Sequence, residues 1–157
     1  MSEESVRAFF SAHAPDVLII DQGVSTATVN EAADALGVVP ARIAKTLSLR
    51  VGDEVALVVA RGDARLNNGK AKAALGAKPR MLGAHEVEEL TGHPIGGVCP
   101  FGLPSPLPVY CDISLQDFET VFPAAGSRTS SVELTPARLA ELTAARWIDI
   151  CTLPQED

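Results

Sequence analysis

Eleven residues in the second half of the chain, Gly92-His93-Pro94-Ile95-Gly96-Gly97-Val98-Cys99-Pro100-Phe101-Gly102, hold four glycines and two prolines. Such a stretch forms neither a helix nor a regular strand. Glycine frees the backbone for positive φ and close approach, and proline fixes φ and removes an amide donor. The side chains between them are largely apolar, so the stretch is not a solvated linker. Two readings fit: a tight turn running into a strand end, or a stiff loop whose Gly96, Gly97 and Val98 amides line a small pocket.

The rest of the chain supplies short elements around this loop. A helix is expected over Ser2 to His13, with Ser2 as cap, Glu3 and Glu4 in the first turn and Val6, Phe9 and Phe10 as an apolar stripe. Val17 to Ile20 is a strand candidate. Thr28-Val29-Asn30-Glu31 is a capping box for a helix that stops at Gly37. A short helical turn is expected at Pro40 to Ala44. Over Lys45 to Val51, Leu47, Leu49 and Val51 share one face and Thr46, Ser48 and Arg50 the other. Lys45 has the parity of the apolar face, so its ammonium needs a partner, either a carboxylate or a ligand phosphate. Gly52-Asp53 turns the chain into the apolar run of Glu54 to Arg61, read as a central strand buried on both faces. Helices are expected over Asn67 to Leu75, Gly83 to Thr91 and Thr135 to Ala145. Strands are expected over Val109 to Ile113, Thr120 to Pro123, Arg128 to Leu134 and Trp147 to Ile150. Pro100 to Pro108 is an ordered, non-helical excursion. The class is α+β, a single domain spanning residues 1–157 with a frayed tail at 154–157.

Charge is unevenly placed. The net charge is -7, yet residues 42–80 hold nine basic and three acidic side chains. That segment can form an anion-attracting face, or it can be an ordinary solvated surface. No run approaches the roughly 18 apolar residues of a membrane span, and no signal peptide opens the chain. Cys99, Cys111 and Cys151 show no paired spacing and suit a reducing cytoplasm. His13, His85 and His93 are not at metal-ligand spacing, so neither metal nor cofactor is expected. No hydrolase, nucleotide-binding or zinc motif is present. Cys99 with His93 resembles a thiol and its base, but nothing identifies an orienting third group.

Together, Ala44-Lys45-Thr46-Leu47, Val58-Val59-Ala60-Arg61-Gly62-Asp63, the glycine loop, Gly126-Ser127-Arg128 and Glu133-Leu134-Thr135-Pro136 resemble the YbaK/EbsC family, in order and over nearly the whole chain. That family is related to the editing insertion of bacterial prolyl-tRNA synthetase and to free-standing ProX-type deacylases. The resemblance implies a central mixed, mainly antiparallel, partly barrel-like sheet flanked by helices. It implies hydrolysis of mischarged aminoacyl-tRNA in trans, releasing a small amino acid such as Ala, Cys or Ser from tRNA(Pro) or a related tRNA. It gives Lys45, Gly96, Gly97, Val98 and Gly126 the catalytic positions, with Lys45 on the terminal phosphate or ribose. Ile43, Leu47, His93, Cys99, Pro100 and Ser127 would surround the aminoacyl group. Arg61, Arg65, Lys70 and Lys72 would steer the acceptor stem. Cys99 stands where the resemblance leads to Ser, which bears on substrate preference. The implied mechanism needs no metal and no protein nucleophile: a positioned water, backbone amides and the substrate's own vicinal hydroxyl suffice. The implied partners are the tRNA acceptor end and an aminoacyl-tRNA synthetase, with no membrane and no DNA. The alternatives are a non-catalytic module for the tRNA end and a small-molecule hydrolase using Cys99.

Overall fold

The structure is a computed structural model and describes residues 2–154. In chain order its helices are α1 (Ser2–His13), α2 (Val29–Leu36), α3 (Asn68–Leu75), α4 (Ala84–Thr91) and α5 (Pro136–Thr143). The strands are β1 (Ile20–Asp21), β2 (Ile43–Val51), β3 (Glu54–Arg61), β4 (Arg65–Leu66), β5 (Arg80–Met81), β6 (Val109–Asp112), β7 (Phe122–Pro123), β8 (Ser130–Ser131), β9 (Arg146–Ile148) and β10 (Cys151–Thr152). Short 3-10 turns cover Pro40–Arg42 and Ile113–Asp117.

The expected hairpin is the spine of the main sheet. β2 and β3 pair antiparallel from Ala44↔Arg61 to Val51↔Glu54 around Gly52-Asp53. The sheet runs β5-β2-β3-β6-β9, with β7 also on β2. The β5 edge is antiparallel, and three short parallel ladders join β7, β6 and β9. The fold is thus mixed α+β, as expected, and the path through the sheet is open. β3 is central and buried from Ala56 onward, because both faces carry a cluster. On one face Leu57 and Val59 pack with Val6 and Phe10 of α1, Phe101, Cys111 and Leu139 of α5. On the other, Leu49, Val58 and Ala60 pack with Ala71 of α3 and Ile150. A third cluster joins α2 to Ile43 and Phe122.

Several expected elements are shorter or differently held. The strand expected over Val17 to Ile20 is only Ile20–Asp21, paired with β8. The segments 120–123 and 128–134 face one another through Val121↔Leu134 and Ala124↔Ser131, leaving only two-residue strands. The Trp147 to Ile150 strand runs instead from Arg146 to Ile148, and β10 beyond it pairs with β4. Ser2 is not a cap; its hydroxyl lies 2.5 Å from both His93 Nδ1 and Gly126 O. At α2, the Glu31 amide donates to Thr28 Oγ1 as the capping box requires. The Glu31 carboxylate, however, accepts from the Ser25 and Thr28 hydroxyls rather than closing on the cap's own amide. Residues 155–157 of the expected frayed tail lie outside the described residues.

Candidate functional site

The alternation along β2 places Ala44, Thr46 and Ser48 on the sheet face opposite Leu47 and Leu49. That small, hydroxyl-bearing strip is the floor of a cavity of about 200 Å³. The segment leading into α2 (Thr26, Ala27, Thr28) and the helix's own Val29 and Ala32 form one wall. Leu82 and Val87 contribute from the α4 side, and Ile95, Gly96 and Val98 from the glycine loop. Phe122, Ala124 and Ser131 contribute from β7, β8 and the chain between them. Among the described residues, no carboxylate, imidazole or thiol lines it. Among the described residues, no group of three or more His, Cys, Asp or Glu side chains is placed to hold a metal ion. Among them, too, no helix is long and apolar enough to cross a membrane.

The glycine loop reaches the cavity because two glycines permit it. Gly96 has φ +92°, and a Cβ there would lie 2.8 Å from Ala27 Cβ. A Cβ on Gly97 would lie 2.8 Å from the Ser127 carbonyl carbon, so the two loops touch backbone to backbone. The Gly126 amide donates to Gly97 O at 3.2 Å, and the Gly97 amide to Pro94 O at 2.9 Å. Arg128 Nε donates to Ile95 O at 2.7 Å. Of the amides expected to face a substrate, Gly97 and Gly126 are therefore engaged within the protein. Those of Gly96 and Val98, both at the cavity wall, have no hydrogen-bond acceptor among the described residues.

The other expected site residues divide clearly. Ile43 and Lys45 border the cavity. The Lys45 ammonium donates to the backbone carbonyl of Ala64 rather than to a carboxylate. Burial lowers its pKa, partly offset by the nearby Asp63 carboxylate. Leu47 packs against the Leu49 cluster, away from the floor. His93 and Cys99 lie beneath the loop, fully buried. His93 Nε2 donates to Phe101 O at 2.7 Å, and burial depresses the ring's pKa. Burial pushes the Cys99 thiol up to about 12, so it is not a thiolate near neutrality. Pro100 is buried, and Ser127 Oγ lies 2.6 Å from Ser130 Oγ.

Of the expected tRNA-binding residues, Arg61 is buried. Asp63 holds it at 2.6 and 2.9 Å, Asp117 at 2.8 Å, and its guanidinium lies over the Phe118 ring. The same hydrogen bonds hold the Asp63 carboxyl below the usual carboxylate range. Lys70 donates to Cys151 O and Asp149. Arg65 and Lys72 are exposed. Sequence reasoning did not single out Thr26, Thr46, Ser48 or Ser131 as site residues. The available signal was the Thr-x-Ser alternation opposite an apolar strand face.

Residues 24–142 match the model of the aminoacyl-tRNA editing domain. The chain is 50% identical to the protein YwhH of Bacillus subtilis (strain 168) over 153 residues, covering 96% of this chain and 98% of that one. It is 35% identical to the proline–tRNA ligase of Shouchella clausii (strain KSM-K16), covering 83% of this chain but only 23% of the ligase. Its fold superposes with a TM-score of 0.89 on the crystal structure of a protein proposed as a trans-editing enzyme for prolyl tRNA synthetase. That match has 33% identity and covers 96% of this chain and 97% of the other. The chain belongs to the aminoacyl-tRNA editing domain family.

Proposed function

We propose that the cavity holds the aminoacyl ester of a mischarged tRNA and that the chain hydrolyses it in trans. Deacylation of mischarged tRNA is the activity that the family and the trans-editing neighbour support. The observation that carries the placement is the pair of unengaged amides, Gly96 and Val98, on the wall of a small cavity. Water attacks the ester carbonyl carbon, and negative charge develops on the carbonyl oxygen, where the two N–H groups stabilise it. One preorganised donor of this kind is worth about 10²–10³ in rate. The ester C–O bond then breaks, the ribose oxygen takes a proton relayed through its vicinal hydroxyl, and the amino acid leaves as its carboxylic acid.

No protein nucleophile is assigned. The three cysteine thiols are buried and raised to about 12, and among the described residues no ionisable group other than Lys45 lines the cavity. Lys45 would supply positive charge at the cavity edge, for the phosphate or ribose of the terminal nucleotide. The released amino acid is small, in keeping with the cavity's size, and tRNA(Pro) is the favoured carrier because prolyl-tRNA synthetases share this domain. An aminoacyl-tRNA synthetase, as the source of mischarged tRNA, is the proposed partner, and the unpaired cysteines favour a cytoplasmic setting.

The test is hydrolysis of alanyl-, cysteinyl- and seryl-tRNA(Pro) by the wild type and by Lys45→Ala. Release of at least one amino acid is expected, with kcat/KM about 10- to 100-fold lower in the variant, as for loss of one charged hydrogen bond. Salt-sensitive tRNA binding without release from any of the three would overturn the catalytic reading in favour of a binding module.

A further inference from the structure

The first turn of α1 lies outside residues 24–142, the span of the editing-domain match, yet it rests directly on the glycine loop and on the Gly126 segment that touches that loop. The fit is backbone to backbone at two glycines. A Cβ on Gly102, at the end of the glycine loop, would lie 2.7 Å from the Ser5 carbonyl carbon, and one on Gly126 would lie 2.9 Å from the Ser2 carbonyl oxygen. Phe101, beside Gly102, is fully buried against Phe10, with ring centroids 4.7 Å apart. Between the two segments stands one hydroxyl. Ser2 Oγ lies 2.5 Å from His93 Nδ1 and 2.5 Å from Gly126 O. His93 Nε2 donates to Phe101 O at 2.7 Å, so Nδ1 is an acceptor, and the single Ser2 hydroxyl hydrogen faces one acceptor on each segment. Gly126 carries the connection onward, because its amide donates to Gly97 O, between Gly96 and Val98.

We propose that Ser2 is a positioning residue for deacylation: its hydroxyl ties the glycine loop to the Gly126 segment and so holds the Gly96 and Val98 amides at the cavity wall. The inference rests on the deacylase reading above and adds to the site a residue from outside the matched domain. Ser2 is not one of the described residues that line the cavity, so it acts through the loops and not on the substrate. Glycine-rich backbone has the most conformational freedom to lose, and it stays in one place only where neighbours hold it. An amide stabilises a developing oxyanion only while it sits within hydrogen-bond reach of that oxygen. Removing the Ser2 hydroxyl takes this donor from His93 Nδ1 and Gly126 O, while the buried Val6 and Phe10 keep α1 docked.

The experiment compares the wild type, Ser2→Ala and Ser2→Thr in single-turnover hydrolysis of alanyl-, cysteinyl- and seryl-tRNA(Pro), with amide hydrogen exchange measured on the same proteins. Ser2→Ala should lower the maximal rate about 3- to 10-fold, the range for one lost hydrogen bond, and leave the half-saturating concentration within about twofold. Exchange at the Gly97 and Gly126 amides should quicken as the segments loosen. Ser2→Thr keeps the hydroxyl and should restore both the rate and the exchange. A purely structural role would lower the melting temperature while leaving the maximal rate per folded molecule unchanged, and that result would overturn the proposal whatever the exchange shows. Equal slowing in Ser2→Ala and Ser2→Thr would overturn it too. Wild-type release with either of these results removes the Ser2 role alone. Release from none of the three substrates by the wild type would remove the deacylase reading and this role with it.

Discussion

Gly97 lies where two loops meet without side chains between them, 2.8 Å from the Ser127 carbonyl carbon if given a Cβ. Backbone cannot swing aside as a side-chain end can, so Gly97→Ala should push the loops apart. The expected loss is about 1–3 kcal/mol of stability, typical of overpacking. Deacylation should fall as well, since the Val98 amide moves with the loop. Thermal unfolding and single-turnover hydrolysis check the two effects. His93 gives a second residue-scale expectation. Burial holds its folded pKa below the ordinary 6.5. Below pH 6.5 the unfolded chain therefore binds a proton that the folded chain refuses. Stability is full above 6.5 and declines as pH falls from there toward the folded value. Urea midpoints at pH 7.5 and 5.5 should show a drop in the wild type that shrinks in His93→Gln; an equal drop in both would rule out His93 as its source.

At the scale of elements, short helices depend on their ends. The Glu31 amide donates to Thr28 Oγ1 at the start of α2, and the Arg138 amide to Thr135 Oγ1 at the start of α5. Removing either cap should cost about 1 kcal/mol. The functional consequences should differ, because Thr28 and the first turn of α2 border the cavity and α5 does not. Thr28→Ala should lower both the melting temperature and kcat/KM, whereas Thr135→Ala should lower only the first. Equal effects on activity would show that α2 does not shape the site.

For the whole molecule, folding redistributes the basic segment. Arg42 pairs with Glu133, Arg50 with Glu86, Arg61 with Asp63 and Asp117, and Lys70 with Asp149. Most of those carboxylates come from outside residues 42–80, so part of the charge excess is cancelled at the surface. Arg65 and Lys72 are exposed and take part in no such ion pair with a described residue. If they meet tRNA phosphates, Arg65→Glu with Lys72→Glu should weaken tRNA binding and flatten its salt dependence by roughly one phosphate each, or about 0.7–0.9 in log-log slope. An unchanged slope between about 50 and 200 mM salt would remove these side chains from the interface.

Local patterns alone determined the spine of this protein. Alternation with a Gly-Asp turn is enough to specify the β2–β3 hairpin. The Thr28 cap and the Gly37 stop are enough for α2, because those signals act within a few residues. The glycine loop was legible for the same reason, since only glycine tolerates the positive φ of Gly96. Tertiary structure decided what each face meets. The parity of Lys45 was readable, but its bond to Ala64 O depends on a chain reversal nineteen residues away. Arg61 reads as a surface cation until Asp117 closes on it from a distant turn. Thr46 and Ser48 became a cavity floor only because the glycine loop, α2 and the β7–β8 region converge over them. Hydrogen-bond satisfaction and burial are sums over neighbours from the whole chain, and local periodicity carries no information about which neighbours arrive.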